Sequence, residues 1–297
     1  MPGSFLKWVG GKARTAGLLA ALAPPGTRRL VEPFMGSAAV FFALQPRRAL
    51  LGDLNEELVV CFRAVRDDPG AVMALLDAMP NTPEHFRCVR AQAPAALSAA
   101  ERAARVIYLN KTAFRGLWRV NRHGAFNVPY GAYDRPLFNR ATLLGASAAL
   151  AAAEIVAADF DGLLDRVGPG DWVYLDPPYV PAGGYSDFRR YTAGQFRRGD
   201  HERLSARCRE LDLAGAAFLL TNTDNDEARA LYRGFDAFVV PTRRDVHLDR
   251  HRRASTDLLV ANYDVAGRLA ALAGPRASRA ATPPPGRSPA RASASRP

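Results

Sequence analysis

Short apolar runs recur along the chain, each closed by a polar, Gly or Pro cluster. They are Leu30-Val31, Ala49-Leu50-Leu51, Ile155-Val156-Ala157, Trp172-Val173-Tyr174-Leu175, Ala217-Phe218-Leu219-Leu220, Phe238-Val239-Val240 and Leu258-Leu259-Val260. Each is too short for a helix and apolar on successive residues, the pattern of a strand buried on both faces. Helical spacing lies between several of them, over 37–44, 203–213 and 227–232. Strands alternating with helices predict a doubly wound α/β sheet.

Between Glu56 and Leu144 the rhythm changes. Helical stretches over 59–65, 71–79 and 99–109 lead into a segment rich in Gly, Asn and aromatics, 110–133. We read 57–145 as an inserted, mainly helical domain, and 1–56 with 146–264 as the α/β domain. No apolar run approaches the ~18 residues of a membrane span. The run over 18–23 is short and stops at Pro24-Pro25, which disfavours a targeting segment, so a cytoplasmic location is expected.

The net charge is +11, from 40 Lys and Arg against 29 Asp and Glu, which points toward a polyanionic partner. Only Lys7, Lys12 and Lys111 are lysines, so the Arg total reflects a compositional bias and the surviving lysines mark places of interest. Residues 265–297 carry six Arg and no acid among Ala, Ser, Pro and Gly, and are expected to be disordered. Without them the charge is +5. Cys61, Cys88 and Cys208 are widely separated, which excludes a disulfide framework or a cysteine metal site, and no metal is expected.

Two segments carry chemistry. Asp176-Pro177-Pro178-Tyr179 directly follows a strand, where α/β proteins bind ligands. Its carboxylate, prolyl carbonyl and aromatic face suit a flat, amino-bearing base. The second segment, Glu32-Pro33-Phe34-Met35-Gly36-Ser37, joins a strand to a helix, and Asp53 closes the next strand, placed to accept from ribose hydroxyls. Neither a G-x-G-x-x-G fingerprint nor a phosphate loop is present, which fits a nucleotide-like ligand without a pyrophosphate.

Taken in order, Phe5-Leu6-Lys7-Trp8-Val9-Gly10-Gly11-Lys12, the Glu32–Ser37 segment, Asp53-Leu54-Asn55, Leu109-Asn110-Lys111 through Phe126-Asn127-Val128-Pro129-Tyr130-Gly131, Asp176–Tyr179 and Thr221-Asn222 resemble the DNA adenine methylase family, the D12 class. The resemblance covers about 5–264. It implies a Rossmann-like methyltransferase sheet, with methyl transfer from S-adenosylmethionine to N6 of an adenine flipped out of duplex DNA. It also implies that Trp8, Lys12, Phe34, Gly36, Asp53, Asp159 and Phe160 bind the donor, while Asp176, Pro177 and Tyr179 hold the target base. Lys7, Leu117, Arg119 and Pro129 match target-reading positions, which points to a GATC-like site. One departure is Ala38, where the family carries a glycine.

From Arg102 to Tyr133 there are six basic residues and no acid, with Asn121 and other amides interleaved among aromatics. Such side chains read base edges in the major groove. A second basic loop around Arg252 is expected to contact phosphates. Double-stranded DNA is thus the expected partner, a cognate restriction endonuclease a further candidate, and the chain itself a monomer. Two alternatives stand beside this reading: a DNA-binding protein of the same fold impaired in catalysis by Ala38, and an RNA adenine methyltransferase.

Overall fold

The computed structural model describes residues 3–8, 10–180, 196–243 and 254–273. Arg252 and its basic loop lie outside the described residues, as do 274–297. In chain order the elements are α1 (Ala16–Ala21), β1 (Arg29–Glu32), α2 (Ala39–Leu44), β2 (Ala49–Asp53), α3 (Glu56–Asp67), α4 (Pro69–Asp77), α5 (Pro83–Ala91), α6 (Ala99–Thr112) and α7 (Arg140–Leu150). There follow β3 (Ala153–Ala157), α8 (Phe160–Leu164), β4 (Asp171–Leu175), α9 (Arg198–Leu213), β5 (Ala217–Thr223), α10 (Asp226–Leu231), β6 (Asp236–Arg243), β7 (Ala254–Ala261) and α11 (Val265–Ala273).

All seven apolar runs are strands of one sheet, in the order β3-β2-β1-β4-β5-β7-β6. The first five are mutually parallel, and β7 runs antiparallel to both β5 and β6. From β1 the chain winds outward through β2 and β3, then returns to β4 on the other side of β1. The order therefore reverses between β1 and β4, and the crevice at such a reversal is where open α/β sheets take their ligands.

Alternation along the strands sorts the faces. Val31, Leu50, Val173, Leu175, Phe218, Leu220, Leu258 and Val260 share one core with Leu163 and Leu164 of α8 and Leu204, Cys208 and Leu211 of α9. Gly52 gives Leu163 its room there, because a Cβ would lie 2.1 Å from that side chain and displace it. The opposite face carries Glu32, Tyr174 and Thr221, with Asp176 one step beyond the end of β4. A polar row on a buried face marks the chemistry.

Helix ends follow their capping residues. Asn55 caps α3 through the Leu58 amide, Thr82 caps α5, and Ser98 with Glu101 forms a capping box on α6. Helix α6 is the axis of the helical part, packed by α3, α4 and α5, while α3 also rests on β2 and β3. Residues 1–263 accordingly form one compact unit. The boundary expected near 145 falls inside α7, which packs on α3 and α4. Residues from Asp264 form a separate unit that begins with α11, so the expectation of disorder does not hold over 265–273. Among the described residues no helix is long and apolar enough to cross a membrane.

Candidate active site at the strand-order reversal

Asp176 leaves β4 at the reversal point and is held from two directions. The Lys12 ammonium donates to both carboxylate oxygens, at 2.7 and 2.8 Å, and also to the Gly10 carbonyl at 2.9 Å. The Thr221 hydroxyl of β5 donates to Oδ1 at 2.6 Å. The Lys12 and Asp176 side chains are only 10% and 17% exposed, so this ion pair is largely removed from water. Burial raises the Asp176 pKa, and the Lys12 charge opposes that rise. Lys12 also sits 4.8 Å from the centre of the Tyr179 ring.

Tyr179 is fixed at its far end, where its hydroxyl donates to Asp257 Oδ2 at 3.0 Å. The turn after it is pinned by β5, since the Val180 amide donates to Asn222 Oδ1 at 3.0 Å. Pro177 and Pro178 stiffen the segment between. A carboxylate and an anchored aromatic ring thus share one rigid rim. The sequence placed Lys12 among donor-binding residues; the structure puts it directly on Asp176. Thr221, Asp257 and Glu32 received no role from the sequence, although Thr221 and Glu32 lie within its motifs.

Residues expected to bind the donor line up along the strand ends. Asp53 closes β2, accepting from the Gly36 amide at 3.1 Å and from the Asn55 amide at 2.9 Å, and burial pushes its pKa to about 6. Gly36 has φ +46, a conformation that favours glycine, and a Cβ there would crowd the Trp8 ring at 3.1 Å. At the next strand Phe34, Phe160 and Phe196 form an aromatic corner, with centroids 5.5–6.0 Å apart. Asp159 caps α8 there, and Arg203 lies over the Phe160 ring.

Ala38 has φ +50 and ψ +37, the left-handed conformation that favours glycine, and is fully buried at the start of α2. The backbone keeps the glycine conformation and tolerates the added methyl group.

The N-terminal segment is clipped to α6. Fully buried Asn110 donates to the Lys7 carbonyl at 2.6 Å and accepts from the Lys7 amide at 3.0 Å. Lys7 is exposed, with its chain against Gly116. The Phe114 amide donates to the Pro129 carbonyl at 2.8 Å, which brings Leu117 and Pro129 into one loop cluster. Arg119 Nε donates to Asn127 Oδ1 at 2.7 Å, beside the isolated bridge between Val120 and Phe126. Trp118, buried in this cluster, stacks on Trp8 at 5.8 Å and joins it to the donor side.

Three side chains of the basic stretch have partners within the chain. Asn121 Oδ1 accepts from the His123 and Ala125 amides, so its carbonyl shapes a turn. Arg102 reaches back to Glu56 and Glu57, and Arg105 is buried against the Val89 carbonyl. The run is free of acid in sequence but not in space. Burial pushes the Cys61 and Cys208 thiols up, which removes them as nucleophiles.

Residues 8–246 match the family model of the D12 class N6 adenine-specific DNA methyltransferases. Type II methyltransferase M1.LlaDCHI of Lactococcus lactis subsp. cremoris is 34% identical, over 87% of this chain and 95% of its own length. Type II methyltransferase M.MjaIII of Methanocaldococcus jannaschii is 31% identical over 87% and 98%, and the DNA adenine methylase of Vibrio cholerae serotype O1 is 30% identical over 88% and 95%. A polar rim at the reversal of a seven-stranded sheet, on a chain matched through most of its length, leaves one assignment: this protein belongs to the D12 class of N6 adenine-specific DNA methyltransferases.

Proposed function

We propose that the protein uses S-adenosylmethionine to methylate N6 of an adenine flipped out of duplex DNA at GATC-like sites. The carrying observation is the Asp176 carboxylate, buried beside an anchored Tyr179 ring at the strand-order reversal. An adenine amino group is a poor nucleophile because its lone pair is delocalised into the ring. Asp176 and the Pro177 carbonyl accept its hydrogens, which favours a lone pair directed at the methyl group. Tyr179 stacks on the base and fixes its plane. Lys12 keeps Asp176 ionised in a desolvated site, and positioning accounts for much of the rest. Flipping costs a few kcal/mol of unstacking.

The residues present fit the donor. Asp53 keeps lone pairs for ribose hydroxyls, Gly36 opens room beside Trp8, and Phe34 with Phe160 and Asp159 suits an adenine ring. Glu32 holds a buried oxygen without a partner, a feature that favours a cationic ligand. When bound, the donor supplies a methyl group already activated on a sulfonium. Trp8 and Lys12 bound the same space from the N-terminal loop.

In this reading 57–145 recognises the target, and 1–56 with 146–264 carries the chemistry. Lys7, Leu117, Arg119 and Pro129 read bases, and Arg252 contacts phosphate. All described site residues come from one compact unit, so the site needs no second copy to complete it, and in this reading a monomer acts on DNA in the cytoplasm. Two relatives are named type II methyltransferases, which supports a cognate restriction endonuclease as partner. The test is methylation of matched duplexes with and without GATC. Preference for the GATC duplex is expected; equal methylation of both eliminates the site assignment, and methylation of RNA alone eliminates DNA.

A further inference from the structure

Strand β7 runs against β5, so its early residues lie beside the carboxyl end of β5. Asp257, the fourth residue of β7, pairs with Thr223, the last residue of β5. Leu259 pairs with Thr221, and alternation puts Asp257 on the same face of the sheet as Thr221. Leu258 and Val260 turn to the core on the other face. An acid from the middle of an antiparallel strand thus arrives at the rim where β4 and β5 end. It is buried there. A buried carboxylate is costly unless donors meet it, and one donor is the Tyr179 hydroxyl at 3.0 Å.

Tyr179 is itself only partly covered. Its backbone is stiffened by the two preceding prolines, and the next amide, Val180, is tied to Asn222. The remaining freedom lies in the two side-chain torsions. The hydroxyl sits on the axis of the second torsion, so an anchor there fixes the first, which decides where the ring points. The Lys12 ammonium, 4.8 Å from the ring centre, lies over one face and limits rotation about that axis. Lys12 and Asp257 therefore restrain different motions of the same ring. A carboxylate also accepts more strongly than a neutral oxygen, which suits a contact meant to hold.

The inference rests on the reading that Tyr179 stacks on the flipped adenine. We propose that Asp257 is a positioning residue for the target base, acting through the Tyr179 hydroxyl. It touches neither base nor donor. It aims the ring, and the ring sets the plane in which the amino group meets Asp176 and the Pro177 carbonyl. Methyl transfer depends on that alignment, since a misplacement of about 1 Å can cost about a hundredfold in rate.

The test is a double-mutant cycle on the full chain, read by single-turnover methyl transfer with duplex DNA and S-adenosylmethionine saturating. Asp257→Ala is expected to slow transfer by about ten- to a hundredfold, with donor affinity unchanged. Asp257→Asn keeps an acceptor oxygen and is expected to recover most of that loss. Tyr179→Phe removes the hydroxyl, keeps the ring, and is expected to match Asp257→Ala. The double variant is expected to be no slower than Tyr179→Phe, because the contact is already gone. A merely structural Asp257 carries its full factor into the Tyr179→Phe background, and that result overturns the inference. Transfer at the wild-type rate by Tyr179→Phe overturns it as well, whether or not Asp257→Ala folds. Tyr179→Ala at the wild-type rate overturns the stacking reading itself, and this inference with it. A slow Tyr179→Ala beside an unimpaired Tyr179→Phe confines the failure to Asp257.

Discussion

Replacing Lys12 with methionine removes the ammonium but keeps an unbranched side chain of similar reach. In the native site that ammonium bridges both oxygens of Asp176, with little water near either group. Breaking a buried pair by deleting one partner costs about 3–5 kcal/mol while the remaining charge persists. The Thr221 hydroxyl alone does not offset this, so Asp176 takes up a proton instead. With ~1.4 kcal/mol per pKa unit, 3 kcal/mol corresponds to a rise of about two units. The sign is fixed: the working form is the carboxylate, present above the pKa, so raising the pKa removes activity from the acid side. Single-turnover methyl transfer with saturating DNA and donor, followed against pH, reads this directly. In Lys12→Met the acid limb is expected to move up by about two pH units, with activity recovering at high pH, and Lys12→Arg is expected to restore much of the wild-type limb. A drop of equal size at every pH, with the limb unmoved, refutes the charge-holding role and leaves Lys12 as a simple binding residue.

Further expectations concern stability and target reading. The folded pKa of Glu32, about 8, lies above its unfolded value, so its contribution is fully present at low pH and is lost as pH rises from about 4.5 to 8. Urea unfolding is therefore expected to show Glu32→Gln gaining on wild type by up to ~1.4 kcal/mol per pH unit across that window, and a constant difference sinks the idea. Ala38→Gly relieves a left-handed alanine worth about 1–2 kcal/mol but adds chain entropy of about 0.5–1 kcal/mol and loses a buried methyl group, so the net change in unfolding free energy stays within about 1 kcal/mol. A larger loss means that the methyl group is packed more tightly than the backbone conformation implies. Arg119→Ala is expected to relax discrimination at one base pair by about 1–3 kcal/mol, measured on a panel of substituted duplexes. Asn121→Ala is expected to lower Tm through its turn while leaving the preferred sequence unchanged, and the reverse pattern contradicts the roles given to the two residues.

The sheet was legible because each of its strands is a short apolar run bounded by breakers. Helix α5 was not legible: Pro83–Ala91 is mostly polar, and only Phe86 and Val89 are buried. The Ala-rich α7 likewise lacks a strong apolar stripe, so its extent was not legible. The site was legible as a set of residue types and not as a set of pairings. Lys12 and Asp176 are 164 positions apart, and only the winding of β1 and β4 around the reversal point brings them together. The same blindness inflated the basic stretch, because the acids that neutralise Arg102 sit 45 and 46 positions upstream. Glu32 was quoted within a motif yet given no task, since burial, which makes it unusual, is invisible in one dimension.

The central claim is that Asp176 and its rim direct a methyl group onto adenine N6 in DNA. The most direct measurement is mass spectrometry of nucleosides from duplex DNA incubated with S-adenosylmethionine and either wild-type protein or Asp176→Ala. The account predicts N6-methyladenine with wild type and its absence, or a loss of several orders of magnitude, with a folded Asp176→Ala. Methyl groups on cytosine, or undiminished N6-methyladenine from the variant, would contradict it.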